Sequence, residues 1–371
     1  MKILHIIIGL RKGGAEGNLY QLLTRSSIPK NEITVISLTE RGYYSDLLEE
    51  KGFRVHHFNL TKRPLTTFLK TVSLCKSHNI ISCWMYHANM FGYLAVRHFG
   101  KQKDKKLIWN IRNGSLNPNY DSKLTILINK WCAKRSDKVD CIVYNGSNAK
   151  KAHEKNGYCD LHSLVVDNGC DCELFKPRPE IKSVYQKKIF GFDNSLPVIL
   201  SVGRYHPIKD HKRFLSALGI VKKDIKFRAV LCGSGLNKDN TEISDMCREN
   251  GLIIDEDVFL LDQRDDVNYI NDCCDLYVLH SASEAFPNTL VQAMASGCPF
   301  VATDAGEARK IAGDDFSIVE TENHKQLAEK IIEMLKMDKS ELEAVGERNR
   351  MRIFEKYNIE KVISQYEDLY I

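Results

Sequence analysis

The chain has 371 residues, 43% apolar, 27% charged and 9% aromatic, with 22 Gly and 9 Pro. That length suits two domains of about 150–200 residues, and the composition excludes a disordered, collagen-like or fibrous protein. The net charge of +5 conceals an asymmetry: residues 1–178 carry 28 Lys plus Arg against 15 Asp plus Glu, or +13, and the remainder carries 25 against 33, or −8.

The first apolar run, 3–10, is followed by Arg11, Lys12, Gly13 and Gly14 and has no cleavage-site pattern. It is too short for an export leader, and no later run reaches eighteen uncharged apolar residues, so a cytoplasmic chain is expected. Apolar runs of five to eight residues then alternate with segments of helical period, the pattern of βαβ units around a parallel sheet. Strands are expected at 2–10, 33–38, 54–59, 80–86, 107–111, 141–144 and 164–166, and helices at 15–24, 44–51, 65–78, 88–98, 122–135 and 147–156. The glycine pair before the first helix lets a phosphate approach the backbone at a helix N-terminus, although a tight strand-to-helix turn explains it equally well. The densest basic stretch, Arg97, Lys101, Lys103, Lys105 and Lys106, suits an anionic surface or reads as a solvated loop.

From 176 to 197 the alternation lapses into Pro, Lys and polar residues, marking a domain boundary, and then it restarts. The expected division is 1–175, 176–355, and a final stretch 356–371 returning to the first domain. Strands are expected at 198–202, 227–232, 258–261, 276–279 and 300–302. Helices are expected at 210–221, 238–249, 267–273, 287–296, 325–337, 339–356 and 359–370, the last carrying Tyr366 and Tyr370. Ligands of open parallel sheets bind beyond the strands' carboxyl ends, so two such sheets facing each other define an interdomain cleft. The twelve cysteines include no C-x-x-C and fall mostly within apolar runs, Cys170 and Cys172 being the closest spaced non-adjacent pair, so they read as reduced core thiols rather than a zinc site.

Chemistry gathers in the second half. Arg204 and Lys209 bracket a loop stiffened by Pro207 at a strand end, where two cations suit a diphosphate, or are merely surface charges. Gly233, Ser234 and Gly235 follow the next strand. The stretch Ser281 to Gly297, SASEAFPNTLVQAMASG, is the most informative. Pro287 suits the first position of a helix, leaving the amides of Asn288, Thr289 and Leu290 free toward an anion. Glu284 stands ahead of that helix and Gln292 on its second turn. A carboxylate beside an anion site needs hydrogen-bond donors, which sugar hydroxyls supply, although Glu284 also favours the helix dipole by itself.

The order Gly13-Gly14, Arg204 with Lys209, Gly233-Ser-Gly235 and Ser-x-x-Glu284-Ala-Phe-Pro-Asn, with a polar residue eight positions on, resembles the retaining family 4 glycosyltransferases of the GT-B fold. The likeness is to bacterial enzymes of surface polysaccharide and O-antigen assembly, whose first domain often carries runs similar to Trp84-Met-Tyr-His87-Ala-Asn89 and Trp109-Asn-Ile-Arg112-Asn113. The resemblance implies an α/β protein of two doubly wound domains. It places Arg204 and Lys209 on the donor diphosphate, the backbone of Phe286, Pro287, Asn288 and Thr289 on the phosphate, Glu284 on donor-sugar hydroxyls, Gln292 on the ribose and the backbone around Gln263 and Arg264 near the base. Gly13 and Gly14 would close over the phosphate, with His87, Arg112 and Asn113 on the reaction side.

Two positions depart from the family pattern. Its second acidic residue is Gln292 here, and Ala285 replaces a glycine. The expected activity is retaining transfer from a nucleotide sugar, a UDP-sugar first, to a polyprenyl-diphosphate-linked or oligosaccharide acceptor near an anionic membrane surface. No cofactor is expected and no metal, because fixed Arg, Lys and amide groups stabilise the leaving diphosphate. A UDP-sugar epimerase of the same fold and an inactive ligand-binding or scaffold protein are the alternatives. Nucleic acid is not an expected partner, since the basic half has no recognition motif.

Overall fold

The computed structural model describes residues 1–98, 105–114, 116, 118, 121–192 and 194–371; Lys101 and Lys103 of the basic stretch lie outside them. The chain forms two compact units, Met1–Gly169 with Ile359–Ile371, and Cys170–Asn358.

The first unit is built on seven parallel strands: β1 (Ile3–Ile7), β2 (Ile33–Ser37), β3 (Arg54–His57), β4 (Ile80–Trp84), β5 (Lys106–Ile111), β6 (Cys141–Tyr144) and β7 (Ser163–Val165). Their order is β3-β2-β1-β4-β5-β6-β7. Every residue of β1, β2 and β4 is buried, which is why these strands read as mostly apolar runs instead of alternating: helices cover both faces of the sheet. The helix Ile359–Tyr370 belongs to this unit and buries Ile359, Val362, Ile363, Tyr366 and Tyr370. Tyr366 stacks on Trp84 at 6.1 Å between ring centroids, and its hydroxyl donates to Asn110 Oδ1 at 2.8 Å.

The second unit has six parallel strands, β8 (Val198–Val202), β9 (Arg228–Cys232), β10 (Val258–Leu260), β11 (Leu276–Leu279), β12 (Phe300–Thr303) and β13 (Ile318–Val319), in the order β10-β9-β8-β11-β12-β13. In each sheet the chain winds outward in one direction and then returns to the central strand to wind the other way, so the switch points lie between β1 and β4 and between β8 and β11. Ligands of such sheets bind at this crevice.

Three sequence expectations need correction. The units divide after Gly169, six residues before the expected boundary. The reason is that Cys170 bridges to Asn358, and Cys170, Cys172 and Phe175 join the second unit's core. The stretch 176–197 is not a bare linker: it contains the helix Lys182–Phe190, ended by Gly191 at φ +80°, whose few apolar residues include Phe190, packed edge-on against Phe259 at 4.7 Å. Two short elements, β13 and the helix Ala308–Ala312, have too few residues to show a period.

Candidate functional site

In the second unit the loops after β8 and β11 flank the switch point, and a buried histidine sets their geometry. His280, the residue after β11, is stacked flat on Phe214 at 4.2 Å and 4°. Burial, and then neighbouring His211, hold its imidazole well below the ordinary value, so the ring stays neutral. Its Nδ1 faces the Lys209 carbonyl at 2.5 Å, an acceptor only, so Nδ1 carries the proton and Nε2 accepts from Ser201 Oγ at 2.7 Å. The ring thereby ties the loop carrying Lys209 to β8 and β11. A backbone bond from Ala282 N–H to the Ile208 carbonyl, 2.9 Å, adds a second tie.

Lys209 Nζ then reaches Glu284 Oε1 at 2.5 Å. Ser281 Oγ donates to the same oxygen at 2.7 Å. The two side chains of the ion pair are only 19% and 13% exposed, which makes it stronger than a typical surface pair. Both donors converge on Oε1, and among the described residues Oε2 has no donor. Arg204 is exposed and has no hydrogen-bond or ion-pair partner among the described residues. Thus one cation is pre-paired with the carboxylate and the other is unengaged.

The helix Asn288–Ala295 follows. It begins one residue later than the sequence suggests: Pro287 is its N-cap, at φ −76° and ψ 81°, and no side chain caps it. The three expected free amides are not all free. Asn288 N–H turns back to the Phe286 carbonyl at 2.9 Å and Leu290 N–H to the Pro287 carbonyl at 3.1 Å, while Pro287 has no N–H. The amides of Phe286 and Thr289 are the ones without an acceptor among the described residues. Thr289 Oγ1 accepts from Tyr277 on β11, 2.7 Å, fixing the helix start to the sheet. Gln292 is half-buried on the second turn.

The loop after β9 packs against the Arg204 loop through glycine. Gly233 has φ +155°, and a Cβ there would overlap the Gly203 carbonyl. Tyr205 N–H donates to the Ser234 carbonyl at 2.7 Å, and Gly235, at φ +82°, donates to Asp262 Oδ1 at 2.9 Å. Hydrogen bonds from Asn237 first and Gly235 next hold the Asp262 carboxyl below its ordinary value. Arg264 is bound to Asp266 through two hydrogen bonds, 2.8 and 2.6 Å, so its guanidinium is occupied.

In the first unit Gly13 and Gly14 are exposed at the start of the helix Gly14–Arg25. The Glu16 side chain lies against Gly13 and bonds its own amide; burial raises its carboxyl despite that bond. His87 is half-buried in the helix Tyr86–Tyr93, with burial lowering its imidazole. Arg112 does not present a free guanidinium: it donates to Asn168 Oδ1 at 2.8 Å and to the Tyr366 hydroxyl, and lies over Trp84. Sequence reading assigned it to the reaction side, yet it anchors the last helix, because the aromatic pair that holds it comes from distant parts of the chain.

Sequence reasoning missed His280 and Gly306, and it gave Ser281, the first residue of the Ser-x-x-Glu stretch, no role of its own. His280 stands four residues before Glu284, where spacing carries no periodic signal. Gly306 sits at φ +62°, where a Cβ would meet the Glu284 carbonyl at 2.5 Å, so only glycine lets the β12 loop support this turn. Among the described residues no three His, Cys, Asp or Glu side chains form a metal-ligand cluster.

Residues 185–352 match the family described as glycosyl transferases group 1. The chain is 26% identical over 379 residues, 97% of both chains, to the N-acetylgalactosamine-N,N'-diacetylbacillosaminyl-diphospho-undecaprenol 4-alpha-N-acetylgalactosaminyltransferase of Campylobacter jejuni. It is also 26% identical over 226 residues to the N-acetyl-alpha-D-glucosaminyl L-malate synthase of Bacillus anthracis, covering 56% of this chain and 57% of that one. In three dimensions it is similar to the Anabaena protein HepE, solved in complex with UDP-glucose, with a TM-score of 0.85 at 20% identity over 100% of this chain and 99% of the other. The fold is GT-B.

Proposed function

From a glycosyl transferases group 1 match within a GT-B fold, we propose that this chain transfers a sugar from a nucleotide sugar, a UDP-sugar first, to a polyprenyl-diphosphate-linked or oligosaccharide acceptor with retention of configuration. The observation that carries the reading is the Lys209–Glu284–Ser281 cluster, with Glu284 Oε2 open beside the uncapped start of Asn288–Ala295. Arg204 and Lys209 neutralise the donor diphosphate. The Phe286 and Thr289 amides donate to its oxygens, as helix tips and turn amides do for anions. Oε2 accepts from a donor-sugar hydroxyl, and Lys209, with three protons to donate, bonds Glu284 and a phosphate oxygen together. Gln292 bonds the ribose and the backbone at Gln263 and Arg264 the base.

Bond cleavage leaves negative charge on the β-phosphate, and cations fixed before the reaction stabilise it without reorganising. The reaction then needs no metal, and the acceptor hydroxyl attacks from the face the diphosphate leaves, handing its proton to the departing phosphate oxygen. Similarity to a transferase named for a diphospho-undecaprenol acceptor supports the acceptor class. No helix among the described residues is long and apolar enough to cross a membrane, and we place the enzyme in the cytoplasm, held on an anionic surface by its basic half.

The test is to supply a panel of UDP-sugars with a prenyl-diphosphate-linked sugar acceptor, with and without EDTA, and to read UDP release and the anomeric proton of the product. Retained configuration and EDTA resistance are expected. Conversion of a UDP-sugar alone to its epimer, with no transfer, would overturn the assignment.

A further inference from the structure

A second concentration of positive charge lies at the edge of the first unit's sheet. We propose that it binds the phosphate or diphosphate group of an amphiphilic acceptor. Calling the ligand an acceptor rests on the glycosyltransferase reading; binding of a phosphorylated amphiphile does not.

A cavity of about 350 Å³ opens where β3 ends and the helix Pro64–Ser77 begins. Lys62, Arg63 and Lys70 line it, and Glu40 is the one carboxylate in its wall. Glu40 Oε1 is already engaged, by Asn59 and by Lys62, each at 2.9 Å. Arg63 and Lys70 have no carboxylate partner among the described residues; Lys70 lies 5.7 Å from the Phe58 ring centroid. The cavity therefore holds a surplus of two positive charges, converging from the turn before the helix and from its second turn, and a concave surface of one sign concentrates anions. Two converging cations match a group bearing at least two negative charges, and a guanidinium with an ammonium suits phosphate oxygens.

The same helix supplies an apolar strip beside the cavity. Leu65 and Leu69 are 70% and 60% exposed, and a spacing of four puts them on one face, one turn apart. They adjoin Thr66 and Lys70, which line the cavity. A free phosphate gives the leucines nothing to cover, and a flat bilayer surface does not enter a cavity. An amphiphile satisfies both features, with its anionic head against Arg63 and Lys70 and its hydrocarbon chain along Leu65 and Leu69.

Farnesyl diphosphate, inorganic pyrophosphate and phosphatidylglycerol vesicles are titrated against the full chain and two double variants, Arg63→Gln with Lys70→Gln and Leu65→Ser with Leu69→Ser. All four side chains are exposed, and an unchanged thermal midpoint verifies the fold of each variant. Farnesyl diphosphate should bind more tightly than pyrophosphate. The cation variant should lose about tenfold or more in affinity for both, and the leucine variant should lose affinity for farnesyl diphosphate only. Undiminished binding in the cation variant, or binding to vesicles but to neither soluble ligand, would overturn the proposal. If farnesyl diphosphate binds through these residues yet no UDP-sugar is turned over, the site stands and the transferase reading falls. If transfer proceeds with an unchanged acceptor KM in the cation variant, the site falls and the reading stands.

Discussion

Replacing Lys209 with Met separates its two roles. The methionine keeps the aliphatic stem that packs 3.5 Å from the position of a Cβ on Gly203, and removes the ammonium that meets Glu284 at 2.5 Å. Glu284 is then a carboxylate 13% exposed with Ser281 Oγ as its remaining donor. Loss of one hydrogen bond to a charged group costs about 1.5–3 kcal/mol; the residual exposure, which admits water, favours the lower end. At about 2–4 °C per kcal/mol for a unit of this size, the second unit should melt about 3–8 °C lower. The catalytic effect is larger, since removal of a preorganised charge from a developing anion lowers kcat by about 10²–10³. Differential scanning calorimetry and UDP release measure the two effects. In a cycle with Glu284→Gln, the stability cost of Lys209→Met should shrink, because no buried charge is left unpaired. A variant with kcat within about threefold of wild type would refute the diphosphate role, and an unchanged midpoint would refute the energetic reading of the pair.

Three further outcomes follow from the structure. Gly233→Ala, at φ +155° with no room beside the Gly203 carbonyl, should destabilise the second unit by about 2–4 kcal/mol; a urea midpoint equal to wild type would contradict the packing of the two loops. With residue 292 at the ribose, as proposed, Gln292→Glu would supply a charge-assisted contact to the hydroxyls and should tighten UDP binding about fivefold to tenfold, while leaving uracil affinity unchanged; weaker UDP binding would show that Gln292 does not face the ribose. Burial depresses His5 to about 3 and His211 to about 4, so their unfolded forms take up protons near pH 6.5 when the folded forms do not. The resulting stability is complete above pH 6.5 and is lost as pH falls toward 4, by about 1.4 kcal/mol per pH unit for each histidine fully titrating in the unfolded state. A midpoint flat between pH 6.5 and 4.5 would be inconsistent with neutral buried rings.

The fold was legible because fully buried parallel strands announce themselves: Ile3–Ile7, Ile33–Ser37 and Ile80–Trp84 are buried throughout and mostly apolar, and each precedes a segment of helical period. Local sequence also placed Arg204, Lys209, Gly233 and Glu284 at strand ends, since each stands within eight residues of an apolar run. It did not reveal how they interact. That Lys209 meets Glu284 depends on His280, which joins loops 71 residues apart through its Lys209 carbonyl bond. The state of the helix tip was misjudged because Pro287 adopts ψ 81° and lets Asn288 and Leu290 satisfy their amides locally. Arg112 was misread for the opposite reason: its partner Tyr366 is 254 residues away, beyond any motif.

In the proposed function the second unit grips a nucleotide chiefly through its diphosphate. Calorimetric titration of UDP, UMP and uridine into wild type and an Arg204→Ala/Lys209→Met variant tests it most directly. UDP should bind at least about a hundredfold more tightly than uridine to wild type, with UMP between, and this difference should fall to within about tenfold in the variant. Equal affinities for UDP and uridine in wild type, or a preference for UDP that survives the loss of both cations, would contradict it.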